Sequence, residues 1–161
     1  HYEKHSYTLI YETLFEEYRD KHLRMFEIGI NDPRYLNSSV HLWSQYFNDL
    51  YFVGFDIKDC SRFDNDKIHT FQGNQGNVDD LNKCVEKFGS GFDVIIDDGS
   101  HYHEHHMISF NTLYQHLKSG GYYIIEDLQA FDGDKTIEQF KNSYLEFRLE
   151  CDNKLLIIKK P

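Results

Sequence analysis

Phe92 to Ile96 form a nearly continuous apolar run that stops at two adjacent carboxylates, Asp97-Asp98, and then turns through Gly99-Ser100-His101. An apolar run that does not alternate with polar residues needs cover on both faces, which is the condition of a parallel strand with helices on either side. Other runs follow the same rule. Met25 to Ile30 is apolar around Glu27, broken by Gly29 and closed by Asn31-Asp32-Pro33. Tyr51 to Ile57 carries Asp56 at its end, Lys67 to Phe71 runs into Gly73-Asn74, and Tyr122 to Ile125 runs into Glu126-Asp127.

Between these runs the apolar period lengthens to that of a helix. Tyr7, Tyr11, Leu14, Phe15 and Tyr18 form one stripe, and Val40, Trp43, Phe47 and Leu50 another, with Ser38 or Ser39 placed to cap it. Val78, Leu81, Val85 and Phe88 share a face that Gly89-Ser90-Gly91 ends. Met107, Phe110, Leu113 and Leu117 share a further face, and Gly120-Gly121 is expected to stop that helix. A short helix over Thr136–Lys141 precedes two last strands, Tyr144–Glu150 and Lys154–Lys160, joined by Cys151-Asp152-Asn153. The spacing predicts one α/β domain over residues 1–161: a mostly parallel sheet, helices on both faces, and a closing antiparallel hairpin. Such sheets take ligands at the carboxyl ends of their strands, near the point where strand order reverses. Glu27, Asp56, Asn74, Asp97, Asp98, Glu126 and Asp127 all collect at those ends.

Charge narrows the partners. Lys and Arg total 17 against 27 Asp and Glu, a net charge of −10 that repels a phosphate backbone, so nucleic acid is not expected as a substrate. Cys60, Cys84 and Cys151 lie far apart without metal or redox spacing, which suits reduced thiols in a cytoplasmic protein. The apolar runs are too short to span a bilayer, and the N-terminus lacks the order of a signal peptide, so no membrane partner is expected. The chain begins at His1 rather than Met, which leaves an N-terminal extension and a homo-oligomer open.

Gly29 lets a ligand approach the backbone, and Asp56 sits where a carboxylate takes both hydroxyls of a ribose in nucleotide-binding folds. Local spacing alone is equally compatible with a turn glycine and a capped strand end. Asp97-Asp98 and Glu126-Asp127 are harder to treat as scaffolding, because burying bare carboxylates costs several kcal/mol. If the two strands are neighbours, up to four carboxylates converge, and oxygen-only ligands suit Mg²⁺ or a similar hard cation. His101, on the turn after them, is a candidate general base. His103, His105 and His106 do not place three imidazoles on one helical face and are expected to be mostly exposed, as are His41 and His116.

These residues together resemble the S-adenosylmethionine-dependent sugar O-methyltransferases of the macrolide type, in particular the catalytic domain of the mycinamicin 2''-O-methyltransferases. The resemblance runs through Phe26-Glu27-Ile28-Gly29, Ser39-Val40-His41-Leu42-Trp43, Gly54-Phe55-Asp56-Ile57, Gln72-Gly73-Asn74-Gln75, Ile96 to His101, Gly120-Gly121-Tyr122 and Ile125-Glu126-Asp127. It implies a Rossmann-like class I methyltransferase fold with a seven-stranded sheet. It implies that Glu27, Gly29, Ser39, Asp56, Asn74, Gln75 and Asp97 line S-adenosylmethionine, that Asp98, Glu126 and Asp127 hold Mg²⁺, and that His101 is the base on a sugar or glycoside hydroxyl. Two features depart from the family: the loop after Gly29 is not glycine-rich, and the segment between Asp127 and Thr136 is short. The alternatives are a cofactor-binding protein without turnover or a subunit of a larger assembly, and a hydroxylase-like relative using a different metal.

Overall fold

A computed structural model describes residues 4–30 and 39–161. The loop through Asn31-Asp32-Pro33 and the cap expected of Ser38 lie outside them. The elements run α1 (Lys4–Phe15), β1 (His22–Ile28), α2 (Ser39–Tyr46), β2 (Asp49–Asp56), β3 (Ile68–Gln72), α3 (Val78–Phe88), β4 (Phe92–Asp97), α4 (His103–Leu113), β5 (Leu117–Ile125), α5 (Gly133–Lys141), β6 (Phe147–Glu150) and β7 (Leu155–Lys159). The strands form one sheet in the order β3-β2-β1-β4-β5-β7-β6. Strands β1 to β5 pair in parallel, and β7 runs antiparallel to both β5 and β6.

The continuous apolar strands are explained by cover on both faces. Phe26, Ile28, Val53, Phe55 and Ile95 pack against Leu81, Cys84 and Val85 of α3, Phe110 and Leu113 of α4, and Ile137 and Phe140 of α5. On the other face Met25, Phe52, Val94 and Ile96 meet Tyr7, Leu14 and Phe15 of α1 and Val40 and Trp43 of α2. Among the described residues no helix is long and apolar enough to cross a membrane.

Three local expectations are corrected. Gly120-Gly121 does not stop a helix: α4 ends at Leu113, and β5 already begins at Leu117. Register with β4 moves from Phe92↔Leu117 to Val94↔Tyr122, so extra residues of β5 loop out there. Gly120 takes φ +80°, and a Cβ on Gly121 would stand 2.7 Å from the Asp93 carbonyl, so the pair builds the bulge. Second, Val78 opens α3 but is exposed. Third, β6 starts at Phe147 rather than Tyr144, whose ring is fully in solvent. The hairpin turn Cys151-Asp152-Asn153 is a run of three left-handed residues, φ 54°, 57° and 66°.

Candidate active site

The parallel ladder brings the strand ends into line. Ile28 pairs with Asp97, and Asp97 with Ile125, so the residues that follow each of them meet at one rim. The chain crosses from β1 outward to β2 and β3, then returns to β4 on the other side of β1, and the strand order reverses between β1 and β4. Ligands bind at that switch point in open α/β sheets.

On the β1–β2 side, Glu27 is buried and its Oε2 accepts a hydrogen bond from the Trp43 indole Nε1 at 2.9 Å. Gly29 donates its N–H to the Phe55 carbonyl at 2.8 Å and takes φ +87°. A Cβ there would lie 2.0 Å from the Asp98 carbonyl oxygen, so only glycine lets the β1 and β4 loops close on each other. Asp56 ends β2, 7% exposed, with its Oδ1 accepting from the Lys58 N–H at 2.9 Å. Ser39 opens α2 at partial burial, and Asn74 is exposed, its Oδ1 accepting from the Gly76 N–H at 2.9 Å.

Asp97 and Gln75 are tied to each other. Asp97 is 0% exposed, and its carboxylate is turned into the protein, accepting from Gln75 Nε2 at 2.7 Å and from the Ser109 hydroxyl. His106 Nδ1 lies 3.2 Å away, also fully buried. Burial by itself would raise the Asp97 pKa, but His106, the Ser109 hydroxyl and the Gly99 N–H together outweigh it and hold the carboxyl below its ordinary value. Gln75 uses its other end, Oε1, to accept the Ser100 N–H at 3.0 Å. The pair therefore braces the Asp98–His101 turn from beneath. The histidine expectation is corrected here as well: His106 is buried, and His103 and His105 are half-buried, held by Thr136 Oγ1 at 3.1 Å and Ser100 Oγ at 2.7 Å. His116 is half-buried beside Ser90, whereas His41 is exposed as expected.

On the β4–β5 side, ligand atoms of Asp98, His101 and Asp127 all lie within 4.8 Å of one another, each half-buried. His101 and Asp127 both adopt left-handed backbone, φ 60° and 56°, a conformation that costs a non-glycine residue about 1–3 kcal/mol and concentrates at functional sites. His101 Nδ1 is enclosed and has no hydrogen-bond partner among the described residues. Glu126 is 6% exposed and one of its oxygens accepts the Tyr11 hydroxyl at 2.5 Å. Tyr7 donates to Asp127 Oδ1 at 2.9 Å. Burial, and then the charge of Glu126, push the Tyr11 phenol well above its ordinary value, so it remains a donor; Tyr7 is pushed up by burial and Asp127. In the sequence both tyrosines read only as members of an apolar stripe. Their spacing of four residues at the start of a helix was visible, but what their hydroxyls reach is 115 to 120 residues away.

No family model matches the sequence. Demethylmacrocin O-methyltransferase of Streptomyces fradiae is 38% identical over 138 residues, covering 81% of this chain and 35% of that protein. Mycinamicin VI 2''-O-methyltransferase of Micromonospora griseorubida is 36% identical over 127 residues, covering 77% of this chain and 32% of that protein. Among solved structures, the MycE methyltransferase of the mycinamycin pathway in complex with Mg and SAH superposes with a TM-score of 0.82 at 26% identity, over 96% of this chain and 49% of that one. The chain thus spans about a third of the length of the curated relatives it matches. With the class I methyltransferase sheet and its acidic strand ends in place, this likeness identifies the chain as a member of the S-adenosylmethionine-dependent sugar O-methyltransferase family.

Proposed function

We propose that the chain is the catalytic core of a metal-dependent O-methyltransferase that moves a methyl group from S-adenosylmethionine to a hydroxyl of a sugar or glycoside. The observation that carries this reading is the convergence of Asp98, His101 and Asp127 at the ends of β4 and β5, with Glu27 on the neighbouring β1 and Asp56 at the end of β2 beyond it. The donor set fits a hard divalent cation: carboxylate oxygens dominate it, and a third carboxylate, the buried Glu126, adjoins. The β1–β2 side fits a nucleoside, with a near-buried carboxylate at the end of β2 and a glycine at the end of β1. When bound, S-adenosylmethionine supplies the electrophilic methyl group and Mg²⁺ the Lewis acid that favours loss of the acceptor's proton.

Asp56 would hold the ribose, while Glu27, Gly29, Ser39 and Asn74 would line the rest of the cofactor. Gln75 and Asp97 would serve it indirectly, by fixing the loop above them. Asp98, Glu126 and Asp127 would hold the cation, and His101, beside them, would take the proton from the acceptor hydroxyl. Mg²⁺ prefers oxygen to imidazole, which favours His101 as base over His101 as ligand. The test is calorimetry of S-adenosylhomocysteine and Mn²⁺ with the wild-type chain and Asp98→Asn. The wild type binds both; Asp98→Asn keeps the nucleoside and loses the metal. A folded wild type that binds neither ends the reading.

A second reading, a cofactor-binding protein without turnover or a subunit of a larger assembly, is favoured by the limited share of each relative that the chain spans. Cofactor and metal binding without methyl transfer to any glycoside would select it. A homo-oligomer whose second copy completes the acceptor pocket belongs to the same question.

A further inference from the structure

We infer that the opening helix is a working part of the metal centre, Tyr11 and Tyr7 being positioning residues whose hydroxyls orient the Glu126 and Asp127 carboxylates for the cation. This rests on the metal reading above and adds to it two residues from a different element. Tyr11 donates to Glu126 Oε1 at 2.5 Å and Tyr7 to Asp127 Oδ1 at 2.9 Å. The two tyrosines are one helical turn apart on α1, and the two carboxylates are consecutive in the chain, so one helix face engages both.

The rings are fixed by packing rather than by their hydroxyls. Tyr11 stacks on Phe15 at 5.4 Å and 14° and meets Trp43 edge-on at 5.4 Å, and Tyr7 meets Tyr11 edge-on at 6.4 Å. Trp43 in turn donates to Glu27 at the end of β1, so one aromatic cluster touches the carboxylates of both halves of the site. A phenol on one oxygen of a carboxylate sets the rotation of that group and draws off part of its charge, which eases the repulsion between neighbouring acids. Partners of this kind orient ligands, and their loss commonly weakens metal binding about 10- to 100-fold.

The experiment is Mn²⁺ affinity of Tyr7→Phe, Tyr11→Phe and the double variant, by electron paramagnetic resonance and calorimetry, with thermal melting of the metal-free protein alongside. Phenylalanine keeps the stack and removes only the donor. Phe15→Leu is the control: it loosens the same stack and leaves both hydroxyls. The inference expects each single Tyr→Phe change to weaken Mn²⁺ binding about 10-fold, at a temperature where the variant is folded, and Phe15→Leu to lower the melting temperature with Mn²⁺ affinity kept. Wild-type affinity in the double variant overturns it. So does Phe15→Leu weakening Mn²⁺ as much as the tyrosine changes do, since helix docking alone would then suffice. A wild-type chain that binds no Mn²⁺ removes the metal reading itself, and this inference with it.

Discussion

Gln75→Leu separates two roles that the sequence could not tell apart. The substitution nearly preserves volume and deletes both ends of the amide. At one end a fully buried carboxylate, Asp97, loses a donor at 2.7 Å; at the other the Ser100 N–H loses its acceptor at 3.0 Å. A hydrogen bond to a charged group contributes roughly 1.5–3 kcal/mol and one between neutral groups about 1, so the variant should lose about 3 kcal/mol of stability. In a domain of this size that lowers the melting temperature by roughly 6–12 °C. Urea denaturation should show a lower midpoint at unchanged slope, because the surface exposed on unfolding is the same. S-adenosylhomocysteine affinity should fall only modestly, through loosening of the Asp98–His101 turn. A loss of stability under about 0.5 kcal/mol combined with loss of nucleoside binding would refute the brace and return Gln75 to direct cofactor contact.

Asp56→Ala should weaken S-adenosylhomocysteine binding about 10- to 100-fold in calorimetry, as expected for a charged group that loses paired hydroxyls, with Mn²⁺ affinity kept. His101→Ala should lower methyl transfer by roughly 10²- to 10⁴-fold while Mg²⁺ and nucleoside affinities hold; a parallel loss of metal would instead make His101 a ligand. Burial pushes the Cys60 thiol up to about 11 and the Cys84 thiol to about 12, so at pH 8 iodoacetamide should label Cys151 in the native protein and all three thiols only after denaturation, read by mass spectrometry. Raised folded-state values favour the neutral thiol: that contribution is complete below the ordinary value of 9.0 and is lost as pH rises through about 11 and 12, so the urea midpoint should decline over that alkaline window and not at neutral pH.

The order of strands and helices was legible because parallel strands bury both faces and so read as uninterrupted apolar runs, and each run ended where a carboxylate or amide could face a ligand. Adjacency of β4 and β5 was left open by the sequence, and the parallel ladder between them supplies it, bringing Asp98 and Asp127 together. What was hidden depends on direction rather than type. Asp97 and Asp98 are consecutive and chemically alike, yet strand alternation turns one into the protein and the other toward the rim. His106 reads as a polar residue on an amphipathic helix, but its position beneath the strand ends makes it a buried partner of Asp97. Gly120-Gly121 signals a break in any element, and only the register with β4 shows that a strand, not a helix, is interrupted. The reach of Tyr7 and Tyr11 to the Asp127 and Glu126 carboxylates is a tertiary fact, since helical period explains their burial without asking anything of their hydroxyls.

The most direct test of the proposed chemistry is transfer of isotopic label from the methyl group of S-adenosylmethionine to a panel of glycosides bearing free ring hydroxyls, run with Mg²⁺ and again with a chelator. Metal-dependent O-methyl transfer predicts a labelled methyl ether on one sugar hydroxyl, formed with one equivalent of S-adenosylhomocysteine and abolished by chelation and by Asp98→Asn. Label transfer that continues at the same rate in chelator, or in Asp98→Asn, would contradict it.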